Sequence, residues 1–286
     1  MSEDRSRQFD AHEGDSAACS RTGRRDSECH PGPVLQARCL GAFEIWLDGR
    51  PVRHWSSNRA KSVLRYLIAE RRPVPRETLM EALWPGWYPQ QANGNLRTAI
   101  RVLRQTLRDA DGEVGMAWVL FQNGGYLVNP AVDMQVDVDR FEAHWSAGRR
   151  LEAASQPAEA AGEFRTALDL YRGDFLEDDP AEDWALVRRE LLKDIYLTML
   201  GKLADYSLVA SDHYGCIGYC QRILAKDPCR EDVYQRLMSC FSRLGQRSTA
   251  LRWFRVCETV LKRDLDMRPG GDTVVMHRKL LDGEPI

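Results

Sequence analysis

Four arginines recur at three- and four-residue intervals within NGNLRTAIRVLRQTLR, the stretch from Asn93 to Arg108: Arg97, Arg101, Arg104 and Arg108. At about 100° per residue they line one arc of a helix, while Leu96, Ile100, Leu103 and Leu107 line another roughly a quarter-turn away. One face can pack and the next can meet an anion. A guanidinium forks two N–H donors onto a phosphate or onto the O6/N7 edge of guanine, so the implied chemistry is non-covalent recognition of a polyanion. A solvated surface helix is the other reading of such a row. That kind of helix ordinarily mixes its signs to form i,i+4 pairs, yet no acidic residue lies between Glu81 and Asp109.

Residues with catalytic potential do not gather in the same way. The six histidines, His12, His30, His54, His144, His213 and His277, are scattered, and no Ser/His/Asp, HExxH or phosphate-loop pattern occurs. Cys19, Cys29 and His30 lack the second ligand pair that a zinc site needs. The carboxylates of GDFLEDDPAED are expected to form a solvated loop rather than a metal or acid–base site. No enzyme, metal or cofactor is therefore expected. Cys216, Cys220, Cys240 and Cys257 fall within helical patterns, where a free thiol serves as a small buried hydrophobe.

Net charge over the 286 residues is only −2, but its distribution is uneven. Residues 50–108 carry twelve Lys/Arg against three acids, whereas residues 131–286 carry 22 basic and 27 acidic residues. A basic module joined to a mildly acidic one implies that only the first meets a polyanion. No apolar run approaches the roughly 20 residues that span a bilayer, so neither a membrane partner nor a secretory route is expected, and the cytoplasm is the expected compartment.

The elements that would position the arginines follow from the pattern on either side. Residues 1–34 are polar, mixed in sign and aperiodic, and are expected to be a disordered tail. In LGAFEIWLDGRPV, Phe43, Ile45 and Leu47 alternate before Asp48-Gly49, a hairpin signal. Ser57 or Asn58 can cap a helix bearing Val63, Leu64, Leu67 and Ile68, which Pro73 and Pro75 stop; Arg76 to Leu83 gives a short second helix ended by Pro85. The arginine helix is the third, after GWYPQQANG. Trp118–Phe121 and Tyr126–Val128 are strand candidates joined by Gln122-Asn123-Gly124-Gly125. Trp84, Trp87 and Tyr126 could stack on bases but are expected in the core.

Strands, three helices and a closing hairpin, carried by LGAFEIWLDGRPV, RAKSVLRYLIAERRPVPRETLMEALWP, NLRTAIRVLRQTLR and GGYLV, resemble the OmpR-type winged helix-turn-helix domain, and more closely its form in SARP-type bacterial activators. The remainder points the same way. Adding 34 residues to Leu203, Cys216, Cys220 and Ile223 gives Leu237, Ala250, Phe254 and Cys257, a tetratricopeptide period. Gly148, Leu151, Ala160, Phe164 and Ala167 fit an earlier unit, and Pro228 fits a terminal proline. The 56 residues from Ala160 to Cys216 exceed one period, which predicts an insertion or a lengthened helix across RGDFLEDDPAEDWALVRRELLKD. VDVDRFEAHWSAGR, YRGDFL and LKRDLDMRPG resemble segments of the bacterial transcriptional activator domain. The expected organisation is a tail over 1–34, a winged helix over 35–130 and a mainly α, tetratricopeptide-like domain over 131–286.

A winged helix sets its third helix in the major groove of double-stranded DNA. On that resemblance Arg97, Thr98, Arg101, Arg104 and Gln105 are candidates for bases and phosphates, and Arg108 for the backbone. Arg59 and Lys61 at the start of the first helix and Arg76 at the start of the second are candidates for phosphate. Asn123 and Gly124 would form the wing. The resemblance also implies a homodimer on repeated promoter sites, contact with RNA polymerase, and control of a pathway-specific or secondary-metabolite gene cluster. The alternative is a repeat scaffold whose winged helix serves only for docking.

Overall fold

The computed structural model describes residues 33–112, 117–179 and 182–286. Apart from its last two residues, the expected tail, with Cys19, Cys29, His12 and His30, lies outside them.

Alternation in the first segment buries Ile45 and Leu47, and Asp48-Gly49, both at positive φ, turns β2 (Glu44–Leu47) into β3 (Arg50–Pro51). β1 (Val34–Arg38) pairs antiparallel with β2, Leu35 opposite Leu47. On its other side β1 takes a parallel partner, β7 (Asp133–Val136), giving the order β3-β2-β1-β7. The sequence reading gave no strand there, because a four-residue strand owes its existence to a partner about a hundred positions away.

Ser57 caps α1 (Asn58–Glu70), its hydroxyl accepting from the Ala60 amide at 3.3 Å, and Arg71 ends the helix in the left-handed region before Pro73. Val74–Pro75 is not a plain connector: as β4 it pairs with β6 (Gly125–Val128). After α2 (Arg76–Leu83) comes α3, which runs from Pro89 to Asp111 and so begins a full turn before Asn93. Proline suits the first helical position, and buried Ala92 continues the stripe of Leu96, Ile100, Leu103 and Leu107. Asn93-Gly94-Asn95 has turn chemistry, but packing of the flanking stripe overrides it. β5 (Val119–Gln122) and β6 close the unit, joined through Asn123 and Gly124 at positive φ.

Seven helices follow: α4 (Asp137–Ala153), α5 (Pro157–Leu170), α6 (Leu186–Val209), α7 (His213–Lys226), α8 (Glu231–Arg243), α9 (Arg247–Leu265) and α10 (Gly271–Asp282). Each packs against the next in chain order. The eight residues related by the 34-residue period are all buried, and Gly148 is needed because a Cβ there would lie 2.3 Å from the Phe164 ring. The six described cysteines are free, and burial pushes the Cys257 thiol up to about 12, which keeps it a neutral filler. The excess length before Cys216 goes into the 24-residue α6 and an irregular segment ahead of it.

That segment is not the solvated acidic loop expected from its composition. Arg189 of α6, itself buried, donates from Nε to the Phe175 carbonyl at 2.8 Å and from its terminal nitrogen toward the Leu176 and Asp179 carbonyls. The fixed segment then meets the winged-helix part. Leu176 N–H donates to Cys39 C=O, Gly41 N–H to Asp174 C=O, and Phe43 N–H to the Asp178 carboxylate. Arg65 of α1, only 3% exposed, pairs with Asp178 and with Asp179 at 3.3 Å; Lys61 pairs with Asp178 at 2.7 Å. From the start of α4, Asp137 accepts the Cys39 and Leu40 amides at 2.8 and 3.0 Å. Polar contacts thus tie residues on either side of the expected boundary at residue 130.

Removing one partner of a buried ion cluster leaves the other charges uncompensated. Arg65→Ala is expected to lower unfolding stability by about 3 kcal/mol in chemical denaturation. Burial pushes the Asp178 carboxyl up, but the Lys61 hydrogen bond, the Arg65 charge and the Phe43 amide outweigh it and hold it below the ordinary carboxylate value of 3.8. Its contribution is therefore complete above that value and lost as pH falls through the lower, folded one. The stability gap between the wild type and Asp178→Asn should be widest near neutrality and should narrow below pH 3.8 in acid titrations followed by circular dichroism.

Candidate nucleic-acid interface

Helix α3 packs against α1 and α2 through its apolar stripe, which turns the opposite side of the helix outward. Arg97 and Arg101 are exposed there and make no side-chain hydrogen bond or ion pair among the described residues. Thr98, also exposed, returns its hydroxyl proton to the Gly94 carbonyl at 3.0 Å. Farther along, Arg108 donates to the Gln105 side-chain oxygen at 3.0 Å, and Gln105 donates to Asp109 at 2.6 Å. Arg104 differs. It is half-buried, and its Nε donates to the Val119 carbonyl at 3.1 Å, tying the helix to β5. The ladder thus divides into two free guanidiniums, one anchor and one member of a side-chain network.

The cations expected at the helix starts are likewise engaged within the fold. Arg59 donates to the Leu83 carbonyl at 3.0 Å, with its guanidinium 5.8 Å from the Trp84 ring. Arg76 stacks 4.6 Å over Phe121 of β5. Lys61 is held by Asp178, so the helix start expected to greet a phosphate already carries an anion from the acidic segment. Sequence composition could not reveal this, since the pairing spans 117 residues. Asn123 and Gly124 sit at the exposed tip of the β5–β6 hairpin. Of the aromatics expected in the core, Trp84 and Tyr126 are buried, but Trp87 is 53% exposed. The turn through Pro85-Gly86 carries it past the end of α2 and off the apolar stripe.

The longer α3 adds residues expected in the connection before it. Gln90 and Gln91 occupy its first turn, exposed, on the same side of the helix as Arg97 and Arg101. Pro89 at the helix start and the helix-favouring Gln-Gln-Ala that follows were the available signal.

The family model described as the bacterial transcriptional activator domain matches residues 136–281, just over half of the chain. The chain belongs to this family. Similar regulators include the transcriptional regulatory protein EmbR of Mycobacterium tuberculosis, 27% identical over 251 residues covering 86% of this chain, and the regulatory protein DnrI of Streptomyces peucetius, 29% identical over 217 residues covering 74% of this chain and 79% of DnrI. The regulatory protein AfsR of Streptomyces coelicolor is 26% identical over 252 residues, 88% of this chain and 25% of AfsR. The chain spans 63% of the length of EmbR. A solved structure of M. tuberculosis EmbR, in complex with a low-affinity phosphopeptide, superposes with a TM-score of 0.68 at 24% identity, covering 89% of this chain and 66% of that one. The family match and these relatives support the resemblance to SARP-type regulators, and the superposition supports the fold.

The division among the arginines has a direct stability signature. Arg97→Ala and Arg101→Ala, which remove no hydrogen bond or ion pair among the described residues, should change unfolding free energy by less than about 0.5 kcal/mol. Arg104→Ala, which leaves the Val119 carbonyl without its donor, should cost about 1 kcal/mol. Denaturant titrations of the three variants check the contrast.

Proposed function

We propose that this chain is a sequence-specific DNA-binding activator of transcription, which binds repeated promoter sites as a homodimer and recruits RNA polymerase. The observation that carries the reading is the pair of unpartnered guanidiniums, Arg97 and Arg101, on the outward side of a helix whose other side is fixed in the core. Free, single-signed charge on a rigid helix is what major-groove recognition requires, because a guanidinium can reach the guanine O6/N7 edge only if nothing else holds it.

In this reading Arg97, Thr98 and Arg101 face base edges. Gln105 and Arg108, farther along the helix, meet the sugar-phosphate backbone. Arg104 sets the helix against the wing while adding to the positive field. Asn123 and Gly124 approach the minor groove. Arg59 and Arg76 each retain donor N–H groups for phosphate beside their contacts within the fold, whereas Lys61 stays with Asp178. The regulator works in the cytoplasm at the nucleoid, without catalysis, metal or cofactor, and its targets are genes of a pathway-specific or secondary-metabolite cluster. No helix among the described residues is long and apolar enough to cross a membrane.

Electrophoretic mobility shift on duplexes from the promoters flanking its own gene tests the reading. The expected result is a retarded complex whose affinity falls steeply with salt, as counterions are released from the phosphates. Arg101→Ala should weaken it by about 1–3 kcal/mol and relax selectivity at one operator position. Binding that is indifferent to both salt and promoter would contradict the proposal.

A further inference from the structure

Gly94 stands in the interior of α3, where glycine is the poorest helix former after proline. Packing does not account for it. A Cβ built at Gly94 meets nothing within 4 Å, in contrast to Gly148, whose Cβ would collide with Phe164. The backbone there is ordinary helix and Gly94 is exposed. Gly162, Gly201 and Gly218 also have open space beside them, so space alone says little. What sets Gly94 apart is its surroundings. At about 100° per residue it falls within about 20° of Arg101, on the side of the helix opposite the Leu96 and Leu103 stripe. Arg97 lies on one flank, and exposed Gln90 and Gln91 lie one turn earlier.

The outward face of α3 therefore has a notch in its second turn, bordered by long side chains able to hydrogen-bond. We propose that Gly94 is the point of closest approach between α3 and a DNA duplex. Its missing side chain lets the helix backbone settle into the major groove. The bordering groups then reach base edges together: Arg97 and Arg101 suit guanine, and the Gln90 and Gln91 amides suit the N6/N7 edge of adenine. A methyl group at residue 94 holds the helix out of the groove and weakens all of these contacts at once. This inference rests on the reading of α3 as the DNA-reading helix and names what lets it seat.

The test compares Gly94→Ala, Gly218→Ala and Arg101→Ala in the full chain, using a duplex selected from a randomised pool by the wild-type protein. Thermal melting is measured alongside affinity. Alanine favours a helix over glycine, so both glycine variants should melt about 2 °C or more above the wild type. Gly94→Ala should nevertheless bind about tenfold or more weakly, the scale of losing one base pair of recognition, while Gly218→Ala binds like the wild type. A Gly94→Ser variant, with a slightly larger side chain, should bind no better than Gly94→Ala. Unchanged affinity of Gly94→Ala beside a weakened Arg101→Ala overturns the role of the glycine and leaves the reading of α3 intact. Unchanged affinity of both, or no selectable duplex, overturns the reading of α3 as well. A Gly94→Ala protein that melts below the wild type would assign the glycine to folding and overturn the inference.

Discussion

The arrangement depends on a buried guanidinium. Arg189 is buried in α6 and gathers the carbonyls of Phe175, Leu176 and Asp179, giving an irregular stretch the hydrogen-bond partners that regular structure would otherwise supply. With that stretch fixed, Asp178 and Asp179 point at α1, where the equally buried Arg65 receives them. Helix α1 is the surface on which α3 packs, so the chain of contacts that begins in the helical repeats ends at α3. Buried ion clusters add little net stability over apolar packing, but they are unforgiving of misalignment, and this one fixes one arrangement of the two parts.

The same logic separates the cations. Arginines look alike in sequence, yet their partners divide them into structural and available sets. Arg65 and Arg189 are enclosed, Arg104 ties α3 to β5, Arg59 and Arg76 lean on aromatic rings, and Lys61 faces a carboxylate. Arg97 and Arg101 have none of these restraints. The excess positive charge of residues 50–108 is thus sorted by tertiary structure, and α3 carries two exposed guanidiniums with no hydrogen bond or ion pair among the described residues.

Much of this was legible in the sequence because much of it is periodic. The apolar stripe of α3, the Asp48-Gly49 and Asn123-Gly124 turns, and the 34-residue repeat through Leu203 and Leu237 are local rules, and the structure follows them. What was not legible depends on distant partners. β7 exists because β1 lies beside it, α3 starts at Pro89 because Ala92 finds a core, and the Asp178 and Asp179 carboxylates turn to α1 because Arg65 receives them while Arg189 holds the backbone carbonyls of the same segment. At the candidate interface the row of arginines was visible, but the assignment of Lys61 was not. Its partner lies 117 residues away, and no local signal points to it.

Residue-resolved arginine modification, read by mass spectrometry with and without a duplex selected by the protein, addresses the central claim most directly. The account predicts that DNA shields Arg97 and Arg101 while exposed arginines of α9, such as Arg252 and Arg255, react as before. Shielding confined to the helical repeats, or equal reactivity of Arg97 and Arg101 with and without bound DNA, would contradict it.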